Sequence, residues 1–216
     1  MILIRKGSEP HSLTRYRKSA FAYFDGCNKN DIRESLLKEQ GYLCAYCMRR
    51  IDSEHTRIEH WKPEVLLTEI EKLDYSNMLA VCYTPSEGMP EKYQTCDARK
   101  GDQEITVDPR IEAHIASIGY KKGTGVIYSE DSRIDADLNG KLNLNCFEQF
   151  LPQNRKTVLQ RVITELSRVQ RKGNWKRTDV MKMLRLFSMP DESGKKKEYA
   201  GIVIWYLMRK LGSLSD

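Results

Sequence analysis

The sequence predicts an α+β protein in which a small cysteine-bearing unit of short strands is set between helical segments. Three observations lead there. A Cys-x2-Cys pair in "LCAYCMRRI" (43–51) is followed by two further, widely spaced cysteines. The stretch around them is rich in Gly, Pro and polar turns, broken by short apolar runs that suit strands. From Phe147 onward the apolar residues recur at helical spacing.

Taken in order, an N-terminal arm from Met1 to about Ala20 carries Arg5, Lys6, Arg15, Arg17 and Lys18. "DIRESLLKEQG" (31–41) predicts a helix: Asp31 is placed to cap it, Ile32, Leu36 and Leu37 share a face, and Gly41 ends it. The cysteine-bearing unit follows, to about Asp102, with "MLAVC" (78–82) as a short strand. "GTGVIYSE" (123–130) predicts one more strand. Val158, Leu159, Val162, Ile163, Leu166 and Val169 trace one face of a helix. "TDVMKMLRLFSM" (178–189) and "KEYAGIVIWYLMRKLG" (197–212) predict two more, with Pro190 and Gly194 marking the break between them. The chain thus divides into an arm and helix (1–40), a core (41–104) and a mostly helical C-terminal region (105–216).

Composition narrows the class. The charged fraction of 31% suits a soluble chain, and no N-terminal apolar run resembles a signal peptide. The longest apolar stretch, Ala200 to Met208, is too short for a membrane span. The expected location is cytoplasmic, where cysteines serve as metal ligands or catalysts more often than in disulfides. The net charge of +6 is uneven: residues 151–198 hold 13 Lys and Arg against 5 Asp and Glu, so the rest of the chain is slightly acidic. A basic face can attract a phosphate backbone, though such runs are also ordinary solvated helix surface.

Thirty-four residues separate Cys47, the second of the close pair with Cys44, from Cys82, and 13 residues separate Cys82 from Cys96. A Cys-x2-Cys turn offers two sulfurs to neighbouring corners of a tetrahedral site, and thiolates select zinc over magnesium. Four thiolates close the coordination sphere, which makes the expected Zn2+ structural. A redox pair would need a βαβ context that is not visible. Cys27 and Cys146 fall outside the pattern and are read as small buried side chains.

Between and after these cysteines stand "RIEHWKP" (57–63), "DYSNMLAVC" (74–82) and "CDARKGD" (96–102). The order of Cys-x2-Cys, acid-His with a nearby proline, Asn-x-Leu before a third cysteine, and a fourth cysteine followed by a Lys-Gly resembles the HNH endonucleases. The resemblance covers roughly residues 41–102. It implies a ββα-metal core with a four-cysteine zinc. A narrower resemblance, carried by "ILIRKGSEPHSLTRYRK" (2–18), "VDPR" (107–110) and "LNGKLNLNCFEQFLPQNRKTVL" (138–159), is to the PtuB-like HNH subunits of Septu-type and retron-associated anti-phage systems. It implies a PtuA-like ATPase partner and nucleic acid, most readily DNA, as substrate.

The resemblance also implies roles. His60 is the expected general base, a contribution of roughly 10^2–10^4-fold. Asn77 would keep His60 in place, through its amide or by fixing the loop. Glu59 and Asp97 would hold a catalytic Mg2+ or Mn2+, as oxygen ligands suit a hard ion. Arg99 and Lys100 would contact phosphate. Two positions depart from the usual pattern: Glu59 stands where Asp is usual, and Asp97 where His or Asn is usual, which puts the metal preference in question. Taken singly, His60 beside Trp61, Asn77 and Asp97 could each be ordinary packing, turn or capping residues. Trp61, Trp175 and Trp205 are candidates for stacking on bases, with packing the stronger reading for the last two. The alternatives to a DNA endonuclease are an RNA-cleaving enzyme acting, for example, on tRNA, and a catalytically inactive zinc-bound binding module.

Overall fold

The computed structural model describes residues 1–83, 89–169 and 174–214; Lys172, a basic neighbour of Trp175 in the sequence, lies outside them. Helix α1 (His11–Tyr16) falls within the N-terminal arm. Helix α2 (Lys29–Gln40) begins earlier than the sequence predicts, because its cap is Asn28 rather than Asp31. The Asn28 Oδ1 accepts from the backbone N–H groups of Asn30 and Asp31 at 3.1 and 3.4 Å. Asp31 sits instead in the first turn, where its charge complements the helix dipole. Gly41 ends α2 in the left-handed conformation, φ 62°.

Strands β1 (Thr56–His60) and β2 (Met78–Cys82) pair antiparallel, with Glu59 opposite Leu79 and His60 opposite Met78. β2 is buried along its whole length. Its outer edge is closed by a side chain. Gln40, the last residue of α2, donates to the carbonyls of Leu43 and Ala80 at 2.8 and 2.7 Å and accepts the Ala80 N–H at 2.8 Å. A strand edge otherwise exposes such groups in a row; here an amide stands in for a third strand. Helix α3 (Asp97–Lys100) is a single turn directly after Cys96.

Beyond it come α4 (Glu112–Ala116), then β3 (Ile118–Tyr120) and β4 (Ile127–Ser129), a second antiparallel pair. β4 is only the second half of the strand expected over 123–130. A turn occupies the first half, with the Lys121 N–H donating to Val126 and Gly125 at φ 77°. Helix α5 (Ser132–Ala136) runs into a π-helical turn whose buried Asp137 accepts from the Val107 N–H at 2.9 Å. Helices α6 (Leu151–Val169), α7 (Arg177–Ser188) and α8 (Ala200–Leu211) complete the chain. α8 starts later than expected. Tyr199, at φ 53°, breaks the helical path, and its N–H donates to the Met48 carbonyl at 3.1 Å.

One connected apolar cluster joins the N-terminal, strand and C-terminal helical segments, from Leu13 and Ile32 through Leu43, Leu79 and Val107 to Leu159 and Val203. Trp175 is 5% exposed and meets Tyr206 edge-on at 6.3 Å, while Trp205 meets Tyr120 at 5.9 Å, so both serve packing. Among the described residues no helix is long and apolar enough to cross a membrane.

Candidate metal centre and adjoining cavity

The four cysteines expected to act together do meet. The sulfurs of Cys44, Cys47, Cys82 and Cys96 lie within 4.8 Å of one another and all four residues are buried. Cys44 and Cys96 are 3.8 Å apart, as are Cys47 and Cys82. A tetrahedron with metal–sulfur bonds of about 2.3 Å has edges of about 3.8 Å, so the cluster has the dimensions to hold a metal ion such as zinc. The turn that presents the first pair is closed by Met48 N–H donating to the Cys44 carbonyl at 3.0 Å. Met48 itself takes a positive φ of 64°. Cys82 comes from the end of β2, and Cys96 is held by its N–H on the Leu142 carbonyl at 2.9 Å.

Thiolates buried this closely repel one another unless a cation sits among them. Neighbouring sulfurs push the Cys82 and Cys96 thiols well above the usual cysteine range in the absence of an ion. Two arginines answer part of the charge. Burial disfavours the Arg49 cation, but the thiolates of Cys47 and Cys82 outweigh it and raise its pKa. Burial dominates at fully buried Arg155 and lowers its pKa, with Tyr120 and then Cys47 opposing. A divalent ion with four thiolates carries a net charge of about −2, which two guanidinium groups offset.

Beside this cluster is a cavity of about 390 Å³, lined by Glu59, His60, Glu64, Lys72, Asp97 and Lys100 among others. β1 delivers Glu59 and His60, and α3 delivers Asp97 and Lys100. Glu59 is 6% exposed. It accepts from the Tyr46 hydroxyl at 3.2 Å and pairs with the Lys100 ammonium at 2.7 Å. Burial first, and the Asp97 carboxyl second, push its pKa up to about 8, against the opposing pull of Lys100. Two carboxyl groups this close, one of them buried, suit a hard cation or a shared proton. Asp97 is more open and accepts from Arg57 at 3.3 Å.

His60 is 2% exposed, and both of its ring nitrogens are engaged. Nε2 lies 2.7 Å from the Lys72 carbonyl, and Nδ1 lies 3.0 Å from a Glu64 carboxylate oxygen. Phe24 packs edge-on against the ring at 4.7 Å. A carbonyl only accepts, so Nε2 donates to Lys72, and Glu64 covers Nδ1, which leaves neither ring nitrogen free.

Asn77 takes the second of its two expected places, on the loop, while Lys100 and Arg99 stand elsewhere than a phosphate contact requires. Asn77 makes no hydrogen bond to His60. Its amide brackets Lys62, accepting from the Lys62 N–H at 2.9 Å and donating to the Lys62 carbonyl at 3.1 Å, so it fixes the loop after β1. Lys100, expected on phosphate, is 1% exposed and directed at Glu59 and the His60 carbonyl. Arg99 is held by Glu91 at 2.5 Å and by the Gly140 carbonyl at 3.2 Å. Trp61 donates to the Val107 carbonyl at 2.9 Å. The narrower motif segments also serve the fold: Ile4 N–H donates to Pro109, and Arg155 donates to the carbonyls of Gly125 and Leu144.

Glu64, Tyr46 and Gln40 were not singled out from the sequence. Glu64 reaches His60 because Pro63 turns the chain into the 3-10 turn Glu64–Leu66. That turn was the one available signal. No protein-family model matches the chain, and no curated protein matches it.

Proposed function

We propose that the chain is a metal-dependent endonuclease of HNH type that hydrolyses phosphodiester bonds of DNA. On this reading it is the nuclease subunit of a prokaryotic anti-phage complex with a PtuA-like ATPase. The observation that carries the reading is the convergence of Glu59, His60 and Asp97 on one cavity beside four metal-competent cysteines. Cys44, Cys47, Cys82 and Cys96 would hold a structural Zn2+. Glu59 and Asp97 would hold Mg2+ or Mn2+, which supplies positive charge to the phosphate when bound. The two strands β1 and β2 and the turn α3 then correspond to a ββα-metal core.

The chain's own residues divide the remaining work. The Lys72 carbonyl engages Nε2 of His60, so a proton taken from water would have to pass to Nδ1, the nitrogen that Glu64 occupies, and Glu64 would have to move aside or accept that proton in turn. Asn77 and Pro63 set the course of the chain that brings Glu64 to that nitrogen. Lys100 steadies Glu59 from beneath. A second reading, a zinc-bound binding module without catalysis, draws support from the near-complete burial of His60 and from Glu64 on its Nδ1.

A cleavage assay separates the two. Supercoiled plasmid, phage DNA and total tRNA are offered with Mg2+ or Mn2+ to the wild type and to His60→Ala, with and without the ATPase. The endonuclease predicts that His60→Ala loses cleavage by roughly 10^2-fold or more while keeping its metal content. The polymer that is cut decides DNA against RNA. Equal cleavage by the variant, or none by the wild type under any condition, leaves the binding module.

A further inference from the structure

We infer that Tyr83 and Arg57 form a stacking platform for an unpaired nucleobase at the edge of the cavity, so that the strand presented there is single-stranded. The inference rests on the nuclease reading and assigns the form of its substrate.

Tyr83 follows directly on β2, and its ring is 45% exposed. The backbone beneath it is anchored, because the Tyr83 N–H donates to the His55 carbonyl at 3.1 Å and the preceding residue is Cys82 of the sulfur cluster. The Arg57 guanidinium lies over the ring, 4.9 Å from its centre. The same guanidinium donates to Asp97 at 3.3 Å. Arg57 is opposite Val81 in the strand pair, and Tyr83 is two residues beyond Val81. Side chains two apart on a strand share a face, so Tyr83, Arg57 and Glu59 project together. Arg57 and Glu59 are then separated by roughly 7 Å along β1. Aromatic ring, cation and carboxylates therefore form a line leading into the cavity.

That line matches an unpaired strand. A base within a duplex has its faces covered by its neighbours, whereas an unpaired base can lie on an exposed aromatic ring, and the loss of one such ring weakens binding roughly tenfold. Arg57 backs the ring and places a positive charge beside the phosphate that joins the stacked nucleotide to the next. The three tryptophans are engaged in packing or backbone hydrogen bonding, so the exposed aromatic on the cavity's own strand pair is Tyr83.

The test measures fluorescence anisotropy with the full chain and no added divalent ion. The probes are labelled oligo(dT) and oligo(rU) of about 20 nucleotides, long enough for one site, and a blunt DNA duplex of the same length. The wild type should bind single strands more tightly than the duplex. Tyr83→Ala should weaken single-strand binding roughly tenfold and leave the duplex unchanged. Tyr83→Phe, which keeps a flat ring, should bind like the wild type, and Tyr83→Leu, apolar but not flat, should bind like Tyr83→Ala. The dT and rU arms tell which polymer supplies the base. Undiminished single-strand binding by Tyr83→Ala, or recovery in Tyr83→Leu, overturns the platform. A wild type that cuts plasmid yet shows no single-strand preference overturns the platform and leaves the nuclease standing. A wild type that binds and cuts nothing overturns both.

Discussion

Glu59 shows how one buried side chain links stability to pH. Its carboxyl sits among Tyr46, Lys100 and Asp97, and burial, then Asp97, raises its pKa from 4.5 to about 8. In the folded protein with no cation at this carboxyl, Glu59 therefore holds a proton between about pH 4.5 and 8 that the unfolded chain releases. The folded state binds more protons in that window, so the Glu59 contribution to stability is fully present below about pH 4.5 and is lost as pH rises towards 8. In buffer without added Mg2+ or Mn2+, the urea midpoint of the wild type should drop between about pH 5 and pH 8 by an amount worth on the order of 1 kcal/mol or more. Glu59→Gln, neutral at every pH, should show a much flatter profile. A wild-type midpoint that rises over the same range would refute the protonated carboxyl. On the proposed reading a divalent ion between Glu59 and Asp97 would take the proton's place, so adding Mg2+ or Mn2+ should restore stability most at the alkaline end.

At the scale of the element, the unusual feature is β2, a strand with one paired edge and full burial. Its other edge depends on Gln40, which is 2% exposed and satisfies both the N–H and the carbonyl of Ala80. Gln40→Leu keeps the volume but leaves buried backbone groups without those partners, at a cost of about 1–3 kcal/mol per unsatisfied group. Chemical denaturation should show a loss in that range, whereas exposed Lys38→Ala, two residues earlier on α2, should change little. A Gln40→Leu variant as stable as the wild type would mean that the Ala45 N–H suffices for the Ala80 carbonyl and that the Ala80 N–H finds another acceptor. Gln40 also shows where sequence reading stops. The long helices α6 to α8 announce themselves by apolar period, and the cysteines by residue type and order, since both signals are local. Gln40 is an ordinary helix residue until β2 is laid against it, 40 positions along the chain. β3 is three residues long, too short for alternation to register. Glu64 acquires its place on His60 only through the turn at Pro63. The residue types of the cavity were legible, therefore, but not their partners: Lys100 on Glu59, the Lys72 carbonyl on His60 and Asn77 on Lys62 are all set by tertiary contacts.

At the scale of the whole molecule, the cysteine-bearing stretch is not wrapped around its metal ligands alone. A small zinc unit that folds by itself takes its stability from the ion because its own core is too small. Here the ligand turn is built into a larger core. The Met48 carbonyl accepts from Tyr199 ahead of α8, and the Gly201 N–H within α8 approaches the Met48 sulfur at 3.3 Å. Arg50 receives Glu198 on its backbone N–H at 2.9 Å. Cys96 hangs from the Leu142 carbonyl, and Trp61 from Val107. Cutting the chain at residues 41 and 104 would strip every one of these partners and expose the buried faces of Tyr46, Met48 and β2. A fragment 41–104 should therefore bind zinc more weakly than the full chain and lack a cooperative thermal transition. In the full chain, chelating the metal should instead lower the melting temperature while much of the helical signal from α6 to α8 persists. Zinc competition against a chromogenic chelator, read beside circular dichroism, measures both. A fragment that binds zinc as tightly as the full chain and melts cooperatively would show that the ion and the local turns suffice. In that case the helices on either side would be appendages to the cysteine unit, and the contacts of Met48, Arg50 and Cys96 with them would contribute little to holding the four sulfurs in place.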